Sequence, residues 1–146
     1  MNDPSDVLIE SAMPDLVYSG KVRDTHNVGN ELLLMVSTDR ISAYDVVLPN
    51  AIPGKGAVLN QISAFWFAQT EHIVPNHLVQ MGFDRSEDLP EPIRRRSMYV
   101  RKADRIDIEC VARGYITGSL WREYEQGING QYGFMLPEGL KKDQKF

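Results

Sequence analysis

Apolar residues in this chain form short alternating runs, interrupted once by a longer run with helical spacing. The runs Leu16–Arg23 and Glu31–Ser37 are rich in β-formers, and turn-forming residues lie between them at Asn27–Asn30, so two strands around a turn are predicted. From Ala57 to Ile73 apolar residues recur every three or four positions, which predicts an amphipathic helix. The periodic positions are Val58, Leu59, Ile62, Phe65, Trp66 and Ile73.

The remaining segments predict further strands and one more helix. The stretch DRISAYDVVLPNAIPGKG predicts short strand pieces joined by loops, residues 76–83 a short strand, and DRSEDLPEP a polar loop. Two more strands are expected at SMYVRKADRI and DIECVARGYI, and SLWREYEQG has the serine start and glycine stop of a helix. Several antiparallel strands with few helices predict an α+β fold.

The stretch from Asp107 to Ser119 offers the first candidate binding site. In a strand, Asp107, Glu109, Val111 and Arg113 would line one face, and Ile108, Cys110 and Ala112 an apolar face that buries the cysteine. Gly118 and Ser119 then precede the predicted helix, whose first N–H groups favour an anion that Arg113 could grip with two parallel bonds. An N-cap serine with a surface arginine explains the pattern equally well.

Two earlier segments offer weaker candidates. In YSGKVRD, Ser19 and Gly20 lead to Lys21 and Arg23, which could face phosphate groups or, as the pattern alone favours, form a solvated basic strand face. The segments STDRISAYD and IPGKG hold further candidates in loops, where binding residues often collect, although turn chemistry accounts for the same residue types. The candidates there are Asp39, Arg40, Ser42, Asp45, Lys55 and Gly56.

Composition narrows the classes of partner. The chain has 146 residues, the length of one ordinary domain, and its net charge of −4 argues against nucleic acid, so the run Arg94–Arg96 is interpreted as a solvated patch. Neither an apolar span for a membrane nor a signal-like N-terminus is found, and a single cysteine suits a reducing, cytoplasmic setting. The three histidines lie at no metal-ligand spacing, so no metal site is predicted in this chain.

The order of these motifs resembles the phosphoribosylaminoimidazole-succinocarboxamide synthase family, also called SAICAR synthetase. SGKVRD, then STDRISAYD with IPGKG, then IECVARGYITGS follow one another as in that family, and the likeness runs from Leu16 to Leu140. Its most specific part is I-E-x-V-x-R-x-x-x-T-G-S at Ile108–Ser119. Asp107 departs from the proline that many members carry, which suggests a local change at the entry to this segment.

The resemblance implies a fold and a reaction. It implies a small antiparallel β-rich nucleotide-binding lobe over residues 1–104 and the beginning of a second α/β lobe over residues 105–146. ATP would phosphorylate the carboxylate of carboxyaminoimidazole ribonucleotide, and L-aspartate would displace phosphate to form an amide. Family members run to about twice this length, and their D-x-K-x-E-F-G signature and magnesium ligands are expected beyond residue 146. The chain alone is therefore expected to be inactive, and a catalytically incompetent nucleotide- or phosphosugar-binding module is the alternative.

The resemblance also assigns residues to ligands. The residues matched to ATP binding are Ser19, Gly20, Lys21, Arg23, Lys102, Ala103 and Arg105. Those matched to the ribonucleotide are Arg113, Gly118 and Ser119, at its phosphate, and Ser42, Asp45, Lys55 and Gly56, near its imidazole. Catalytic residues are left unassigned, and a homo-oligomer is left open.

Overall fold

The computed structural model describes residues 7–85, 89–108, 110–128, 130 and 133–146. The chain forms two compact units, of which one runs to Asp104 and the other starts at Arg105. No helix within the described ranges is long and apolar enough to cross a membrane.

An antiparallel sheet forms the framework of the first unit. Its strands are β1 (Leu16–Ser19), β2 (Arg23–Val28), β3 (Leu32–Ser37), β6 (Leu78–Met81) and β7 (Ser97–Arg101), while β4 (Ser42–Ala43) and β5 (Val46–Val47) pair separately as a small hairpin. The spatial order is β1-β2-β3-β7-β6, with antiparallel pairing throughout. The predicted α+β class is confirmed.

The turn between β2 and β3 is confirmed, but the strand before it was predicted wrongly. Val28 pairs with Leu32 across the turn, and Gly29 there has a φ of 68°, which glycine adopts without a steric penalty. The expected single strand Leu16–Arg23 instead ends at Ser19, turns, and resumes at Arg23 as β2. Lys21 therefore lies in a turn and shares no strand face with Arg23.

Helix α1 (Lys55–Thr70) turns toward the sheet a different side from the predicted apolar stripe. Gly56 and Asn60 are buried, and Ala64 and Phe67 pack on the core. A Cβ at Gly56 would lie 2.1 Å from the Ser37 carbonyl oxygen, so the helix approaches the sheet too closely there for any larger residue. The large residues of the predicted stripe are all exposed: Val58, Leu59, Ile62, Phe65, Trp66 and Ile73.

Both faces of the sheet carry apolar residues because alternate residues of a strand point to opposite sides. Leu34 and Val36 of β3 pack with Leu89 and Ile93, whereas Leu33 and Met35 pack in a second cluster with Met98. The second cluster also contains the α1 side chains.

The predicted loop at residues 84–92 and the predicted solvated arginine patch both need correction. A 3₁₀ turn, Gly82–Arg85, and a short helix α2 (Glu91–Arg94) occupy parts of that loop. Arg96 is buried, because its guanidinium forms an ion pair with the buried Asp39 at 2.8 Å and donates to the Pro92 carbonyl.

The second unit contains helix α3 (Gly118–Glu125) and an isolated bridge between Tyr115 and Lys145. The predicted strand at residues 107–116 is wrong: the residues described there form no strand ladder, and Glu109 lies outside the described residues. Without a partner strand the predicted apolar face has nothing to bury it, and Cys110, expected in the core, is exposed. Thr117, not Ser119, occupies the N-cap position of α3.

Candidate functional site

A tight loop at residues 19–23 connects β1 and β2. The Gly20 N–H donates to the Arg23 carbonyl at 2.7 Å, and Ser19 pairs with Asp24 across the two strands. A Cβ at Gly20 would lie 3.0 Å from the Tyr18 ring and 3.3 Å from the Arg23 carbonyl oxygen. This close approach explains why a glycine stands there.

The loop reaches the tip of the β4–β5 hairpin through an ion pair. Lys21 Nζ lies 2.5 Å from Asp45 Oδ1, and both side chains are largely exposed. Tyr44 and Asp45 form the hairpin tip. Their φ angles of 49° and 66° lie in the left-handed region, which residues other than glycine seldom adopt. Lys21 lowers the pKa of Asp45 by hydrogen bonding and by charge. Two residues expected to contact different ligands therefore contact each other.

The other residues expected near the imidazole lie at β4 and at the first turn of α1. Ser42 is half-buried in β4, and Lys55 is the first residue of α1. The Gly56 N–H donates to the buried Asp39 carboxylate at 2.8 Å, so this helix N-terminus already holds an anion of the chain itself. Lys55 lines a cavity of about 500 Å³ together with Ile52 and Arg95.

A second cavity, of about 580 Å³, opens beside β1 and the end of β7. It is lined by Val17, Tyr18, Thr25, Asn27, Leu33, Lys102, Ala103 and Asp104. Lys102 donates from Nζ to the Gly29 carbonyl at 2.9 Å, which directs its side chain to the β2–β3 turn. Sequence reasoning selected Lys102 and Ala103 but not the apolar wall. The signal for that wall is the run Leu16-Val17-Tyr18, whose three side chains are 50–65% exposed.

Arg105, also expected to meet the nucleotide, belongs to the second unit. Its Nε lies 2.6 Å from Asp107 Oδ1, and both side chains are exposed. This ion pair lies within the second unit.

Within the second unit, Arg113 and Ser119 contact each other. Arg113 Nη2 donates to the Ser119 hydroxyl at 3.2 Å. Gly118 between them has a φ of 61°, and a Cβ there would lie 3.3 Å from Arg113 Nη1. Both residues line a cavity of about 780 Å³ whose other walls include Leu120, Phe134 and Phe146. The arginine, the hydroxyl and the start of an eight-residue helix thus face one cavity.

Sequence reasoning grouped Arg40 with loop residues that could bind a ligand, without assigning it a ligand, and assigned no role to Asp24; both lie beside the 19–23 loop. Arg40 Nη2 lies 2.8 Å from Asp24 Oδ1, and Asp24 also accepts from the Ser19 hydroxyl at 2.8 Å. Burial by itself raises the pKa of Asp24, but the hydrogen bonds from Arg40, Ser19 and Ser11 outweigh it, so the pKa lies below its ordinary value. The carboxylate is therefore charged at neutral pH and holds the guanidinium in place.

Metal ligands do not gather in the described part of the chain. No group of three or more histidine, cysteine, aspartate or glutamate side chains comes together there. The described residues therefore form no cluster that could hold a metal ion by itself.

These features define an α+β protein with a glycine-containing loop on one unit and an arginine-lined cavity on the other. The chain belongs to the SAICAR synthetase family, whose sequence profile matches residues 16–146. It is 46% identical over 137 residues to the phosphoribosylaminoimidazole-succinocarboxamide synthase of Elusimicrobium minutum, covering 90% of this chain and 46% of that protein. The synthase of Desulforapulum autotrophicum is 46% identical over 145 residues, covering 94% of this chain and 48% of its own length.

Solved structures agree with this assignment. A SAICAR synthase structure is 42% identical with a TM-score of 0.83, over 95% of this chain and 51% of that one. The SAICAR synthase of Saccharomyces cerevisiae, solved in complex with SAICAR, is 45% identical with a TM-score of 0.79, over 90% of this chain and 47% of that one. The chain spans about half the length of the curated relatives it matches.

Proposed function

We propose that this chain provides the nucleotide loop and the ribonucleotide phosphate site of an ATP-dependent carbon–nitrogen ligase of purine biosynthesis. The reaction joins carboxyaminoimidazole ribonucleotide and L-aspartate through an acyl phosphate and yields SAICAR, ADP and phosphate. Family membership supports this proposal, as does the S. cerevisiae relative solved with SAICAR. The observation that carries it is the contact of Arg113 with Ser119 in the lining of a cavity of about 780 Å³.

The 19–23 loop is proposed to bind the phosphates of ATP. Backbone N–H groups and the exposed Lys21 offer donors and positive charge to an anion, while Arg23 is half-buried behind them. The neighbouring cavity beside Tyr18 and Ala103 has an apolar wall suited to a flat base. A type-2 SAICAR synthetase solved in complex with ADP shares the fold at 23% identity.

Arg113, Gly118 and Ser119 are proposed to bind the 5′-phosphate of the ribonucleotide. A guanidinium offers two parallel donors, the serine hydroxyl a third, and the start of α3 adds backbone N–H groups. In the first unit, Ser42, Asp45, Lys55 and Gly56 are proposed to lie near the imidazole; Asp45 could leave Lys21 when each binds its own ligand.

The chemical logic of the reaction is activation of a poor acyl donor. A carboxylate has no good leaving group, and phosphorylation supplies one that the aspartate amine can displace. The residues described here would bind and orient the two phosphate-bearing substrates. The proposal extends to a cytoplasmic protein that uses ATP with magnesium, whose protein ligands are expected outside the described residues.

Turnover by the whole protein tests the function. The full-length protein that carries this sequence should release phosphate from ATP only when the ribonucleotide and L-aspartate are both present. Phosphate release that is indifferent to either substrate would contradict the proposal. The 146-residue chain should bind ATP without turning it over. A second experiment separates an incomplete enzyme from the alternative of a binding module. Only an incomplete enzyme should gain activity when the chain is joined to the rest of a family sequence.

Arg113→Ala tests the phosphate site directly in the chain. Loss of a charge-assisted hydrogen bond should weaken ribose 5-phosphate binding by about 1.5–3 kcal/mol, measured by calorimetry. Arg122→Ala, an exposed arginine of the same unit, is the control and should leave the affinity unchanged. An Arg113→Ala effect confined to ATP would assign this site to the wrong ligand.

A further inference from the structure

We propose that Arg40 is a positioning residue for nucleotide binding. Together with Asp24, it holds two carbonyl groups of the 19–23 loop inward, so that the N–H groups of Lys21 and Val22 point outward to the phosphates. The inference rests on the proposed function of this loop and names the residue that shapes it. Neither residue belongs to the motif positions matched to ATP.

Three carbonyl groups from two separate segments converge on the Arg40 guanidinium. Nη2 donates to the Gly20 carbonyl at 2.8 Å, and Nε donates to the Lys21 carbonyl at 3.2 Å. Nη1 donates to the carbonyl of Ile9, in the segment before β1. One side chain therefore fixes two successive peptide groups of the loop.

The orientation of the N–H groups follows from peptide geometry. In a trans peptide the C=O of one residue and the N–H of the next point in opposite directions. The Gly20 carbonyl shares its peptide with the Lys21 N–H, and the Lys21 carbonyl shares its peptide with the Val22 N–H. Because both carbonyls point at Arg40, both N–H groups point away from it. Successive N–H groups aimed the same way form an anion-binding concavity.

Asp24 keeps the guanidinium from following a ligand. Its side chain is 1% exposed, and that of Arg40 is 12% exposed. Besides Arg40, the carboxylate accepts from the Ser19 hydroxyl at 2.8 Å, the Ser11 hydroxyl at 2.9 Å and the Ser11 N–H at 3.0 Å. A carboxylate held by this many donors is a rigid anchor, so the loop is oriented before the nucleotide arrives.

An arginine is required for this role because of its shape. The planar guanidinium presents five donors in a fixed fork, and here all three of its nitrogens donate to different acceptors. A lysine would keep the charge but could not reach carbonyls on both sides of the Asp24 carboxylate. The charge and the orienting effect can therefore be separated by one substitution.

The variants Arg40→Lys and Arg40→Ala, compared in the 146-residue chain, test the inference. Calorimetry measures binding of ATP, which needs the loop, and of adenosine, which has no phosphate. We expect Arg40→Lys to weaken ATP binding about tenfold, the loss of roughly one charge-assisted hydrogen bond, with adenosine binding changed less than about twofold. Arg96→Lys is the matched control, since Arg96 is another buried arginine paired with an aspartate in the same unit. It should lower the urea midpoint but leave the ratio of ATP to adenosine affinity unchanged.

Nuclear magnetic resonance of the unmutated chain with tripolyphosphate provides the second readout. The amides of Lys21 and Val22 should shift more than other amides of the loop, and Arg40→Lys should reduce those two shifts selectively. No shift anywhere in residues 19–23 would overturn the proposed function of the loop itself. Shifts in the loop that spare Lys21 and Val22, or an Arg40→Lys variant with unchanged ATP affinity, would overturn the inference alone. If Arg40→Ala fails to fold, the lysine variant and the unmutated chain still decide.

Discussion

At the residue scale, two buried carboxylates organise the first unit in the same way. Asp24 anchors Arg40 and the 19–23 loop, and Asp39 anchors Arg96 and the N-terminus of α1. Asp39 also accepts from the Leu8 N–H at 2.9 Å, so each carboxylate ties the segment before β1 to the sheet. A buried ion pair adds little net stability by itself, but loss of one partner leaves the other uncompensated. The position of the 19–23 loop therefore depends on the charge of Asp24, and the position of the α1 N-terminus on the charge of Asp39.

The first prediction concerns pH. Burial raises the pKa of both aspartates. Hydrogen bonds outweigh this effect, chiefly from Arg40 to Asp24 and from the Gly56 N–H to Asp39, so each pKa lies below the ordinary 3.8. Their stabilising effect is then complete above pH 3.8 and is lost as the pH falls through the lowered values. The urea midpoint should therefore fall as the pH is lowered below 3.8.

Asp24→Asn provides the control for that prediction. At pH 7 it should destabilise the chain by about 3 kcal/mol, because Arg40 keeps a buried charge without its partner. Its urea midpoint should then depend less on acid than that of the unmutated chain. An identical acid dependence in both proteins would mean that other carboxylates cause the loss.

The second prediction concerns Gly118. Alanine at this φ of 61° is strained by about 1–2 kcal/mol, and its Cβ would lie 3.3 Å from Arg113 Nη1. Gly127→Ala is a matched control, since Gly127 has a φ of 76° and an added Cβ there meets no neighbouring atom. Both variants should lose similar stability in urea, but only Gly118→Ala should weaken ribose 5-phosphate binding, by about tenfold. Equal binding losses would indicate a general effect of α3 strain.

At the element scale, local patterns predicted the existence and approximate bounds of several elements, even where the pairing partner lies far away in the sequence, as β3 does from β7. The β2–β3 turn, β6, β7 and α3 were all expected close to where they lie, because turn residues and short alternating runs act locally. The strand expected at 107–116 was wrong because alternation assigns faces only if a partner strand exists. The break of the first strand at Ser19 was missed because the β-formers on either side of Gly20 and Lys21 were interpreted as one run, and the turn between them is held by the Asp24–Arg40 anchor.

Helix α1 shows the same limit for orientation. A helix was correctly expected in this region, yet the residues of the predicted stripe face away from the sheet because the close approach at Gly56 and Asn60 selects the other side, which also carries Phe67. Asn60 donates to the Ser97 carbonyl at 3.0 Å, a buried polar contact that hydrophobic periodicity does not reveal. Periodicity therefore predicts that a helix forms, whereas the residue sizes at the contact decide which side is buried.

The third prediction compares two aromatic residues that are neighbours in α1. Phe67 packs in the core cluster with Met98 and against His77, whereas Trp66 is 58% exposed. Phe67→Ala should lower the free energy of unfolding by about 2 kcal/mol, and Trp66→Ala by less than about 1 kcal/mol despite the larger side chain. Urea denaturation followed by circular dichroism measures both. A larger loss for Trp66→Ala would show that the stripe is covered in the folded chain.

At the scale of the whole molecule, the candidate site could be predicted only in part. Arg113 and Ser119 are six residues apart, and a motif can specify such a contact. Lys21 and Asp45 were selected separately, but their ion pair across 24 residues follows from the hairpin position and not from either motif. The Arg40 contacts with Gly20 and Lys21 span about as far and were not expected, because they depend on backbone carbonyls that carry no sequence signal.

The fourth prediction concerns the two units, whose cores differ sharply. Both apolar core clusters lie in the first unit, and among the described apolar residues of the second only Ile116 is buried. Residues 1–104, expressed alone, should unfold cooperatively in urea, whereas residues 105–146 alone should give the poorly dispersed amide spectrum of an unfolded chain, because a segment of roughly 40 residues rarely buries enough surface. Ile116→Ala in the whole chain is the control: it should perturb amides of the second unit and leave those of β2 and β3 unchanged. A well-dispersed spectrum from 105–146 alone would show that this unit folds without a substantial core.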